Sequence, residues 1–261
     1  NIKGDRLPLI LIPTTAGTGS EVTPVSIVTT GKSEKMGVVS NKIIPDAAIL
    51  DPELTLGLPP QITAATGIDA MVHAIEAYTS KNKNNNPISR SLAKKALRLM
   101  GKSIELAVHN GSDIEARSNM LLGSMFAGQA FANSPVAAVH ALAYPIGGHF
   151  KVPHGLSNAL VLPHVLKFNA ITKPHIYSEI AYCVFPNLKG NSNQEIAQEF
   201  VDSLSDLSKK CGLQQRLSEV GIKSSSLNML AKEAMNQSRL LVNNPRDLKE
   251  KDALHIYQAA L

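Results

Sequence analysis

Asp69 and His73 lie four residues apart in GIDAMVHAIEAY, residues 67–78, a stretch whose apolar residues mark a buried helix. Positions i and i+4 share one helical face, with Cβ atoms roughly 5–6 Å apart, so a carboxylate and an imidazole there can reach one cation. Alone, such a pair is more often a hydrogen-bonded couple. The other histidines change the balance. Of the eight in the chain, His140, His149, His154 and His164 fall within residues 140–164. His140 sits in the otherwise apolar SPVAAVHALAYPIGG, and His154 follows Pro153 where a loop enters a helix. Either one alone reads as a core histidine bonded to a backbone carbonyl, because a neutral imidazole needs a partner for each ring nitrogen. Taken together, Asp69, His73, His140 and His154 form a ligand set for one divalent metal. Nitrogen and oxygen donors without thiolate suit Fe²⁺, Zn²⁺, Ni²⁺ or Co²⁺, and ligand type does not choose among them. A metal with an open position polarises a bound oxygen.

Positioning these four residues requires several helices. Residues 8–50 are β-rich: LPLILI, TPVSIVTT, KMGVVS and AAILD are short aliphatic runs separated by Gly, Pro and Asn. LPLILI reads as a buried parallel strand and leads straight into the small-residue turn PTTAGTGSE. A parallel strand needs neighbours, and the chain opens on Asn rather than Met, so upstream sequence is expected to supply them. Beyond LTLGLPPQ the periodicity is helical, predicting helices near 61–80, 88–109, 113–133, 136–147, 155–170, 174–185, 193–211, 225–236 and 247–259. The breaks fall at KNKNNNP, HNGSD, NSP, FPNLKGNSN and NNPRD. The expected organisation is mainly α: residues 1–57 form the β-rich end of a dinucleotide-binding α/β domain, and residues 58–261 form an all-helical metal-binding domain.

The 261 residues, 44% hydrophobic and 18% charged, suffice for a sizeable core. The net charge of +5 comes from scattered Lys and Arg, and there is no Trp, which weighs against nucleic-acid binding. RSLAKKALR, residues 90–98, reads as the solvated face of an amphipathic helix. Two cysteines make no disulfide framework, so a reducing cytoplasm is the simplest compartment. No apolar run is long enough to span a membrane. His109, His175 and His255 read as surface residues, His164 as a packing residue, and His149 as a candidate for lining a cleft. Glu76 shares neither the Asp69 nor the His73 face by strict spacing, although its place three residues after His73 allows a supporting bond.

PTTAGTGSE, ATGIDAMVHAIEAY, VHALAYPIGG, VPHGLSNALVLPHVLKFN and RLLVNNPRDL with the later IYQAA resemble the iron-containing (group III) alcohol dehydrogenase family, in its order and approximate spacing. The resemblance runs from about residue 8 to the C-terminus. It implies a dehydroquinate synthase-like fold, with the active site in a cleft between a nucleotide-binding domain and a helical domain. It implies Asp69, His73, His140 and His154 as ligands, His140 lying fourteen positions before the histidine of the Pro-His-Gly motif. It further implies Fe²⁺, with Zn²⁺ as the competitor, and NAD or NADP held by Thr14, Thr15 and Thr18, with Lys35 near the cofactor ribose. The substrate would be a small alcohol or aldehyde, exchanging hydride reversibly with the nicotinamide, and the assembly would be a homodimer.

Two features depart from the family pattern. The Gly-rich pyrophosphate motif is missing ahead of Asn1, so weak or absent cofactor binding by this chain is expected. Many members also carry a histidine four residues after the third ligand, where this chain has Tyr144. A phenol with an ordinary pKa of about 10 is the poorer proton shuttle at neutral pH. Two other readings are a metal-dependent hydrolase or lyase, and a non-catalytic metal-binding remnant.

Overall fold

The computed structural model describes Gly4, residues 6–30 and residues 34–261, with the backbone alone for residues 29, 30 and 34–36. Strand structure is confined to the first 48 residues of the chain. β1 (Ile10–Leu11) pairs in parallel with β4 (Ala47–Ala48), Ile10 opposite Ala47. β2 (Val25–Thr30) and β3 (Glu34–Val39) form an antiparallel hairpin, with Val25 opposite Val39. The expectation of a buried strand at LPLILI is not met. Only two residues of it pair, and Leu7, Ile10 and Ile12 are 85%, 58% and 49% exposed. A parallel strand is buried only when helices or further strands cover it, and no described element covers this one.

The rest of the described chain is helical. α1 (Pro60–Thr79), α2 (Pro87–His109), α3 (Ile114–Asn133), α4 (Ala138–Phe150) and α5 (His154–Ala170) come first. α6 (Pro174–Val184), α7 (Asn193–Lys210), α8 (Leu227–Ala234), the single turn α9 (Ser238–Leu241) and α10 (Glu250–Ala260) follow. α9 had no counterpart among the expected helices. The starts carry the chemistry of helix entry. Pro60 and Pro87 occupy first-turn positions, where a missing N–H costs nothing. Asn86, Asp113 and Ser192 accept backbone N–H groups of α2, α3 and α7 through their side chains.

α1 is the central helix. Its buried residues cover its whole circumference, and it packs against α2, α3 and α5. The buried Arg117 of α3 anchors its entry by donating to Thr63 Oγ1, to the Leu58 carbonyl and to the Gly111 carbonyl. Among the described residues, every buried apolar one apart from Ala16 lies at position 64 or beyond. The core therefore belongs to the helices. No described helix is long and apolar enough to cross a membrane.

Candidate metal centre

α1, α4 and the first turn of α5 each deliver part of one cluster. Asp69 and His73 project from the middle of α1, where no turn of the helix reaches solvent. A three-residue turn links α4 to α5, with Lys151 in the left-handed region at φ 56°. That turn lets α5 pack against α4 and puts His154, its first residue, beside His140. Gly155 is what brings α5 so close to α1: a Cβ there would fall 2.3 Å from the Ala65 carbonyl oxygen.

One ligand atom from each of Asp69, His73, His140 and His154 lies within 4.8 Å of the other three. Nε2 of His140 is 3.9 Å and Nε2 of His154 3.8 Å from Asp69 Oδ1. The His73 and His140 rings stack with centroids 4.8 Å apart, and the His154 ring lies 5.3 Å from that of His140. The ring of Phe131, on α3, lies 4.6 Å from that of His73. Asp69, His73 and His140 are buried, and His154 stands at the open side.

The hydrogen bonds set the tautomers. His73 Nδ1 donates to the Gly17 carbonyl at 3.2 Å, and His140 Nδ1 donates to Glu76 Oε2 at 2.7 Å. With those nitrogens protonated, each Nε2 keeps its lone pair, which a metal ligand requires. The bond that the spacing allows between Glu76 and His73 is not formed. Glu76 instead accepts from His140 and from the backbone N–H groups of Ala137 and Val139, at 2.9 and 2.7 Å. An α-helix places a side chain three positions on about 60° away from its partner, and Glu76 uses that offset to reach α4 rather than its own helix.

Burial and neighbours also tune the charges. Burial pushes the Asp69 carboxyl up, but the imidazoles of His73, His154 and His140 and the Asn158 amide outweigh it and hold it below the usual range. Burial lowers His73 to about 4, so its imidazole is neutral across the physiological range. Burial also lowers His140, but the Glu76 hydrogen bond and the Glu76 and Asp69 charges reverse this and raise it. Nitrogen and oxygen atoms about 2.0–2.2 Å from a cation lie about 3.4 Å apart in tetrahedral geometry. The Asp69 separations of 3.9 and 3.8 Å need to shorten by about 0.5 Å and the widest by at most about 1.4 Å, which side-chain adjustment can supply, so the residues fit a divalent metal.

The PTTAGTGSE turn lies over this cluster. Gly17 packs on Thr66 of α1, where a Cβ would come within 2.8 Å. Gly19, at φ 58°, meets Gly128 of α3 at 2.6 Å by the same measure. Thr14 and Thr18 are exposed and Thr15 half-buried on that turn. The Lys35 side chain lies outside the described residues. Tyr144 is half-buried, its ring 5.8 Å from that of His154 and 6.5 Å from that of His140. Burial raises its phenol, with Arg239 pulling the other way. His149 pairs with Glu233 of α8 at 2.5 Å, well exposed, rather than lining the cluster.

Two neighbours of the cluster escaped the sequence reading. One is Phe131. The other is Asn158, whose amide nitrogen lies 2.5 Å from Asp69 Oδ1. Its position one helical turn after His154 was the available signal.

The model of the Fe-containing alcohol dehydrogenase family, C-terminal, matches residues 63–261, and that of iron-containing alcohol dehydrogenase matches residues 1–52. The chain belongs to the iron-containing alcohol dehydrogenase family. Within this family it is 44% identical to long-chain-alcohol dehydrogenase 1 of Geobacillus thermodenitrificans, over 100% of this chain and 67% of that protein. It is 38% identical to 1,3-propanediol dehydrogenase of Citrobacter freundii, over 97% of this chain and 65% of that protein. It superposes on the crystal structure of a 1,3-propanediol oxidoreductase with a TM-score of 0.94 at 36% identity, covering 100% of this chain and 68% of that one. For sulfoacetaldehyde reductase of Bifidobacterium kashiwanohense, crystallised with NAD⁺, the TM-score is 0.88 at 32% identity, over 98% and 65% of the two chains. The chain thus spans about two thirds of the length of these relatives.

Proposed function

We propose that this protein takes part in reversible hydride transfer between a small primary or secondary alcohol and NAD(P), at a divalent metal held by Asp69, His73, His140 and His154. The observation that carries the reading is the meeting of those four ligand atoms within 4.8 Å under a loop whose Gly17 carbonyl is bonded to His73. The metal, iron on family grounds with zinc as the stronger-binding competitor, would supply a Lewis acid that favours the deprotonated alcohol. The chain's own residues do the rest. Glu76 and the Gly17 carbonyl keep two imidazoles in the ligating tautomer, and the low His73 pKa keeps that nitrogen free of a proton. Thr14, Thr15 and Thr18 offer hydroxyls to the nicotinamide half of the cofactor. Tyr144 can donate a hydrogen bond beside His154, but its raised pKa makes it a poor carrier of the proton.

In this reading residues 1–57 are the nucleotide-binding part and residues 58–261 the metal-binding part, and the protein acts in the cytoplasm as a homodimer. The family membership and the NAD⁺ complex of a relative support nicotinamide chemistry over a hydrolase or lyase. The test is metal stoichiometry by elemental analysis, together with alcohol-dependent reduction of nicotinamide. The wild type is expected to hold one metal per chain, and His154→Ala to hold none and to turn over at least 100-fold more slowly. Full metal retention in His154→Ala would overturn the site, and an alcohol-independent hydrolytic activity would overturn the reaction.

A further inference from the structure

We propose that Asn158 is a positioning residue of the metal centre, whose amide N–H groups hold the ligands together before the cation arrives and fix the orientation of Asp69 after it. The inference rests on the metal-binding part of the reading above.

Asn158 lies one turn after His154 on α5, fully buried at 0% exposure. Its amide nitrogen is 2.5 Å from Asp69 Oδ1 and 3.3 Å from Nε2 of both His140 and His154. Three acceptors thus converge on one donor: a carboxylate oxygen and two imidazole nitrogens. With both imidazole nitrogens less than 4 Å from the carboxylate oxygen and every pair within 4.8 Å, they would repel without something electropositive among them. An amide nitrogen carries two hydrogens and the positive end of its dipole, so it fills that role. The carbonyl end of the same amide does nothing comparable: Asn158 Oδ1 is buried without a hydrogen-bond partner. A buried acceptor left empty is costly, so the donor end governs the orientation of the group.

When a cation enters, the two 3.3 Å contacts to the imidazoles are the ones that yield, because those lone pairs turn to the metal. The short bond to Asp69 can persist, holding the carboxylate in one orientation. The assembled ligand set then binds without first having to be gathered.

The test compares the metal-free wild-type chain with Asn158→Leu, which keeps the volume and lacks the donor, and with Asn158→Ala. Each is titrated with Co²⁺ and with Zn²⁺ against a chromophoric chelator. Both variants should bind at least tenfold more weakly, the usual cost of removing a group that orients a ligand. The visible absorption bands of bound Co²⁺ should shift, since Asp69 is free to turn, while the far-ultraviolet circular dichroism stays that of the wild type. Against an Asp69→Asn background the Leu substitution should lose most of its effect, because its partner is gone. If Asn158→Leu does not fold, Asn158→Ala carries the same comparison. Affinity within threefold of the wild type with unchanged Co²⁺ bands would overturn the inference while leaving the metal site intact. Failure of the wild type itself to bind either metal would overturn both.

Discussion

Glu76 accepts three hydrogen bonds inside the helical core, and all three come from the segment that carries His140. One carboxylate therefore fixes both the start of α4 and the tautomer of His140. Glu76→Gln puts an N–H where an N–H must be received. Metal affinity should fall about 10–100-fold, with the Asp69, His73 and His154 contacts kept, as chelator competition would show. An unchanged affinity would mean that His140 needs no such partner. That Asp69, His73, His140 and His154 belong together was legible in the sequence, because an acid and three imidazoles in apolar surroundings stand out. The pairing of Glu76 with His140 and the presence of Asn158 beside Asp69 were not. Their partners are 64 residues away, from Glu76 to His140, and 89 away, from Asn158 to Asp69, and local spacing gives no account of such pairings.

Helix boundaries were legible to within a few residues because Pro, Asn and Gly punctuate them physically. The approach of one helix to another was not. Gly155 is read in the sequence as part of a Pro-His-Gly motif, but its physical task is to let α5 touch the backbone of α1 at Ala65. Gly155→Ala should push the two helices apart, costing roughly 1–3 kcal/mol of stability as overpacking typically does. Because His154 is the adjacent residue, metal affinity should fall with it, and a thermal melt with and without Zn²⁺ reads both effects. The short 3₁₀ turn Ser20–Val22 holds a second element-scale feature. Glu21 is 2% exposed, neither carboxylate oxygen has a partner, and burial raises its pKa. A carboxyl whose folded-state pKa is raised stabilises the fold most below its unfolded value of about 4.3 and loses that contribution as pH rises through the folded value. Glu21→Gln should therefore melt higher than the wild type at pH 7, with the gap closing toward pH 4. A gap independent of pH would show that Glu21 does not titrate in the fold.

Across the whole molecule, stability is unevenly shared. The helices own the core, whereas the strands are short and carry exposed apolar side chains such as Ile27 and Val39. Amide hydrogen exchange should find the β1–β4 and β2–β3 backbones opening at much lower free energy than α1, α3 and α5. Equal protection in both would contradict that division. The mainly helical character was legible from periodicity, but the exposure of LPLILI was not, since an apolar run states what a strand prefers and not whether anything covers it.

The bond from His73 to the Gly17 carbonyl is a polar link between the strand-bearing segment and the helices, made beside the packing of Gly17 on Thr66 and of Gly19 on Gly128. A nicotinamide nucleotide that draws the turn toward itself must stretch or tighten that bond, and so change how well the imidazole shares its remaining lone pair. Linkage makes this a two-way bargain: whatever factor the nucleotide imposes on the ion, the ion imposes on the nucleotide. The two ligands would then report on each other across a single backbone oxygen.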